Sequence, residues 1–97
     1  MIDDIVCFKL ITGEEIIGTK VPYDSNSIKD VAAIMMVPNQ GTGQVNIGLM
    51  PFLPYSDDES YTFKEEAILV RFKPNTDLIN NYNRIFGAGI QIASKIQ

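Results

Sequence analysis

Before Pro74 apolar residues recur at every second position in several short segments, and after it they recur at helical spacing. Residues 5–11, IVCFKLI, carry a single charge at Lys9 and place Val6, Phe8 and Leu10 on one side of a strand, with Ile5, Cys7 and Ile11 on the other. That predicts a strand covered on both faces, at least in part. Thr12-Gly13-Glu14 supplies a turn in which glycine takes positive φ, and Glu15–Val21 returns as the second strand. Gly18 lies inside that strand, which predicts a sharp bend, a bulge or a close backbone approach.

Pro22 ends the strand, and the turn formers at 23–27 predict a loop. Residues 31–37, VAAIMMV, are bounded by Asp30 and Pro38 and have the length of a buried strand. PNQGTGQ at 38–44 reads as a flexible turn. Val45, Ile47 and Leu49 then alternate with Asn46, Gly48 and Met50, as in a half-buried strand. FLPYSDDESY at 52–61 reads as an exposed acidic loop. Residues 61–72 contain the last strand, entered through Lys64-Glu65-Glu66, with Ile68, Val70 and Phe72 on one face and Ala67, Leu69 and Arg71 on the other. Beyond Pro74, Leu78, Ile79, Tyr82, Ile85 and Phe86 share one face of a helix. Asn75 or Thr76 caps it, Asp77 favours its positive end and Gly87 stops it. The tail at 88–97 carries Ile90, Ile92 and Ile96 and reads as a short strand or a docked extension.

The fold class is therefore mainly all-β: a strongly bent five-stranded antiparallel sheet or partly open barrel, without an N-terminal helix and with an added C-terminal one. SH3-like and OB-like arrangements satisfy the same pattern. The expected organisation is one domain over 1–97, with a β-sheet core to 74, a helix at 75–87 and a tail at 88–97.

The opening hairpin discriminates among these folds. LITGEEIIGTKVPYD at 10–24 resembles the first motif of the Sm/LSm superfamily, with Gly13, Ile16, Gly18 and Asp24 at the matching positions. The second motif of that superfamily, an apolar residue and Arg-Gly before a final apolar strand, has its nearest match in Phe63-Lys64-Glu65-Glu66, where lysine replaces the arginine and glutamate the glycine. In the first loop Asn26 stands at the base-stacking place, and Ile28 where the family has asparagine. The phrases VPNQGTG, LMPFLPYSDD and TDLINNYNRIFGAGI also resemble small Sm-like proteins of tailed phages, particularly those infecting cyanobacteria. The resemblance implies a homo-oligomeric ring and single-stranded RNA as ligand. It implies a base pocket between the first loop and the turn at 63–66, where Tyr23 stacks, Asn26 reads a base edge, Asp24 fixes the loop and Lys64 contacts phosphate. The alternative is that Asp24 and Asn26 simply close a polar turn while Lys64 is solvated. A bent open sheet also leaves two edges with unpaired backbone groups, and pairing the fourth strand of one copy with the last strand of the next removes both. Val45, Ile47, Leu49, Leu69 and Arg71 would form that interface.

Composition narrows the chemistry. The chain of 97 residues has twelve carboxylates against eight Lys and Arg, a net charge of −4, which argues against a surface that grips phosphates everywhere. It has no histidine and one cysteine, Cys7, which removes disulfides, ordinary zinc sites and the usual nucleophilic triads. Adjacent acids at Glu14-Glu15 and Glu65-Glu66 point to opposite strand faces and no nucleophile accompanies them, so no catalytic residue and no cofactor are assigned. Asp57-Asp58-Glu59 reads as a solvated loop rather than a metal site. Neither a secretory leader nor an apolar span of membrane length is read, so the expected location is the cytoplasm, the host's if a phage encodes the chain. The competing reading of function is a scaffold ring that contacts a host or phage protein through its acidic loop or C-terminal helix, without RNA.

Overall fold

A computed structural model describes residues 4–86. It contains β1 (Ile5–Leu10), β2 (Glu15–Val21), β3 (Asp24–Pro38), β4 (Val45–Pro51), β5 (Ser60–Thr62), a 3-10 turn (Glu65–Ala67), β6 (Ile68–Phe72) and α1 (Thr76–Phe86). The strands form one bent, open antiparallel sheet in the order β4-β3-β2-β1-β6, with β5 also on β3. β4 pairs with β3 from Pro38 back to Ala32, and β5 pairs with it from Lys29 to Ser27. β4 and β5 are thus two pieces of one track, interrupted where residues 52–59 loop out. Six strands occupy five tracks. β3 passes the interruption at Asp30, whose φ of 52° is the sole positive value at a non-glycine among the described residues.

The β1–β2 hairpin follows from its residues. Gly13 has φ +96°, and its N–H donates to the Leu10 carbonyl at 2.9 Å to close the turn. Gly18 is a close approach: a Cβ there would lie 2.9 Å from Ile28 Cδ1 and 3.1 Å from the Lys29 carbonyl oxygen. The β2–β3 register shifts beside it, between Ile17 and Thr19, as expected for a strand bent by a bulge.

Both faces of β1 are covered. Ile5 and Cys7 join Ile17 and Ala32 under Leu78 and Tyr82 of α1. Phe8 and Leu10 pack with Ile16, Ile28, Val31 and Ile68 on the other face, where Phe52, Tyr61 and Phe63 extend the cluster. Each fully buried side chain of this size contributes about 1.5–3 kcal/mol, so removing either cluster would exhaust the stability of a small domain. α1 starts where Asn75 Oδ1 accepts the Leu78 N–H at 2.9 Å. Its Tyr82 hydroxyl donates to the Asp30 carbonyl at 2.8 Å and lies 2.8 Å from Thr19 Oγ1, which then donates to it. One phenol thereby ties the helix to the strained point of β3 and to the middle of β2.

Several expectations are corrected. The loop at 23–27 is mostly strand, because Val21 pairs with Asp24 across the two-residue turn Pro22-Tyr23. The single strand expected within 61–72 is two, since the 3-10 turn separates β5 from β6. Ile68 does not share a face with Val70 and Phe72: the β1–β6 register shifts between Leu10↔Ile68 and Lys9↔Val70, leaving Leu69 as the extra residue and turning Ile68 toward Phe8. Ile11 is exposed rather than covered, as are Met35, Met36 and Val37 at the far end of β3. On α1, Leu78 and Tyr82 are buried and Ile79 packs beside them, whereas Ile85 and Phe86 are exposed. Gly87 as the stop and the tail at 88–97 lie outside the described residues. No helix among the described residues is long and apolar enough to cross a membrane.

Candidate functional site

The start of β3 and the turn before β6 meet at one end of the sheet. Asp24 folds the chain there: its Oδ1 accepts the Asn26 N–H at 2.9 Å and its Oδ2 accepts the Ser27 hydroxyl at 2.8 Å. These two bonds, the backbone one foremost, hold its carboxyl below the usual carboxylate range. With its proton given to Asp24, the buried Ser27 hydroxyl accepts from Thr62 Oγ1 at 2.6 Å, linking β3 to β5. The Phe63 N–H donates to the Asn26 carbonyl at 2.9 Å and continues that link.

Arg71 completes the cluster from β6. Its guanidinium donates to Glu65 twice, at 2.8 and 3.2 Å, and to the side-chain carbonyl of Asn26. It lies 5.6 Å from the centre of the Phe8 ring, which in turn meets Phe63 edge to face. Hydrogen bonding to Arg71 lowers the Glu65 pKa, and the same pair raises that of Arg71. The result is a planar cation over an aromatic ring, its donors engaged by Glu65 and Asn26, with the Asn26 amide also hydrogen-bonded to Glu65 and the guanidinium partly open to solvent. Such a surface suits a flat ligand that stacks on the guanidinium plane.

Of the expected RNA-binding residues, Asp24 and Asn26 belong to this hydrogen-bonded cluster. Tyr23 and Lys64 flank it: Tyr23 sits in the β2–β3 turn with 78 % of its surface exposed, and Lys64 leads into the 3-10 turn, also exposed. Of the expected interface residues, Val45, Ile47 and Leu49 lie on the edge strand β4, and Leu69 and Arg71 on the opposite edge β6. Val45 and Leu69 are well exposed, while Leu49 packs partly against the helix-covered cluster. Sequence reasoning placed Arg71 at an interface and missed its part in the cluster.

No protein-family model matches this chain, and no curated protein matches it. The residues alone carry the reading. Among the described residues, no group of three or more His, Cys, Asp or Glu side chains is placed to hold a metal ion. Cys7 is buried, and desolvation there pushes its thiol up to about 12, so it stays protonated at neutral pH.

Proposed function

We propose that the chain is a ring-forming Sm-like protein that binds single-stranded RNA at the cluster of Asp24, Asn26 and Arg71. The observation that carries this reading is Arg71: a guanidinium 5.6 Å over the Phe8 ring, hydrogen-bonded to Glu65 and Asn26 at the junction of two turns, is a platform for a splayed base. The bent sheet with six strands on five tracks, together with Gly13 and Gly18, supports the Sm-like assignment. Assembly pairs β4 of one copy with β6 of the next, covering the exposed Val45, Leu69 and Val70. The phage origin, the cytoplasmic location and a role in RNA metabolism or its regulation belong to the same reading.

Fluorescence anisotropy with labelled oligouridine and oligoadenine tests the ligand. Binding is expected to weaken with salt, with Arg71→Ala, and with Tyr23→Ala combined with Lys64→Ala. Absence of binding at low salt would overturn the RNA reading. Light scattering tests the ring, and a monomeric mass would refute it.

A scaffold ring without RNA is the second reading, favoured by the exposed Met35, Met36, Val37 and Met50 on the β3–β4 hairpin. Capture of a host or phage protein that is lost when the exposed Met36 of the hairpin or the exposed Ile85 of the helix is replaced by aspartate would support it.

A further inference from the structure

Next to the cluster, the open end of the bent sheet forms a cleft of about 700 Å³ between the start of β1, the end of β2, the end of β6 and α1. Its lining includes Lys20, Arg71 and Lys73, three of the chain's eight Lys and Arg, against Asp4 alone of its twelve carboxylates. The four charged groups of the lining sum to +2, and the Glu65 carboxylate paired with Arg71 brings the local balance to +1 in a chain of net charge −4. Val6, Val21 and Ile79 supply an apolar floor. The cleft is continuous with the cluster, because Arg71 lines the cleft and binds Asn26, while Ser25 stands one residue from Asn26. Concave, locally basic and apolar-floored, it matches the mixed character of a nucleotide chain, whose phosphates need cations and whose sugars and bases bury apolar surface.

We propose that this cleft is the track along which single-stranded nucleic acid leaves the Asn26–Arg71 cluster, with Lys20 and Lys73 each holding a backbone phosphate over the apolar floor. The inference rests on the RNA reading above and extends it from a single base to a path. It also accounts for binding by an acidic protein: the positive charge is concentrated where the strand runs.

The test is a salt series of oligouridine binding by the full chain, comparing wild type with Lys20→Ala/Lys73→Ala, Asn26→Ala and Lys29→Ala. Loss of two phosphate contacts lowers the magnitude of the slope of log affinity against log salt by about 1.4. Asn26→Ala is expected to weaken binding with the slope unchanged, and Lys29→Ala, outside the cleft, to change neither. An unchanged slope in the double variant, with Asn26→Ala still weakening binding, would overturn the track and leave the base site standing. A slope change in Lys29→Ala half as large as in the double variant would mean that net charge alone is felt, and would also overturn it. A wild type that binds no oligonucleotide refutes both. Lys20 and Lys73 are exposed, so the double variant should keep the wild-type denaturation midpoint, which confirms that folded proteins are compared.

Discussion

The two faces of the β1–β2 ribbon are covered in different ways. One lies under α1, where Leu78 and Tyr82 close over Ile5, Cys7, Ile17 and Ala32, and the phenol spends its hydrogen bonds on Thr19 and Asp30. The other is filled by aromatic rings and ends at Arg71, whose guanidinium caps Phe8 and remains accessible at the surface. The first face binds the molecule to itself. The second stabilises less at its rim and presents charge there. Substitutions on the two faces should therefore separate stability from binding.

The largest effect is expected for Tyr82→Ala, a loss of about 3–5 kcal/mol in urea denaturation from the cavity it leaves. Tyr82→Phe keeps the ring but strands the Asp30 carbonyl and the Thr19 hydroxyl, at about 1–3 kcal/mol. If Tyr82→Phe were neutral, the helix would be held by packing alone. Gly18→Ala should cost about 1–3 kcal/mol, because its methyl must displace Ile28 or the Lys29 carbonyl. Across the ribbon, Arg71→Ala should leave the denaturation midpoint near wild type while oligouridine affinity falls about tenfold or more. A large stability loss there would erase the contrast between the faces.

The smallest effect concerns pH. The folded Asp24 carboxyl has a lowered pKa, so its stabilising contribution is present above the unfolded value of about 3.9 and is lost as pH falls through the folded value. Asp24→Asn should remove that part of the acid dependence, measured as the difference in denaturation midpoint between neutral and acid pH.

The hairpin was legible in the sequence because its signals are local. Alternation fixed the two faces of β1, and Gly13 and Gly18 marked a turn and a close approach that only glycine accommodates without strain. The site was half legible. Asp24 and Asn26 carry turn chemistry that spacing reveals, but Arg71 depends on the bulge at Leu69, and a strict period of two cannot show a residue left out of register. β5 was hidden for a related reason: Ser60 and Thr62 look like loop residues until Ser27 and Lys29 pair with them. Polar strands are recognised by their partners, and partners are set by the tertiary fold.

Cys7 gives the molecule its own clock. It is the only thiol, fully buried in the layer beneath Leu78 and Tyr82, and inert while that layer is closed. Its rate of alkylation in native buffer counts how often α1 lifts from the sheet, without any added label. Comparing that rate with the frequency of global unfolding would show whether the helix opens alone or only when the whole sheet comes apart.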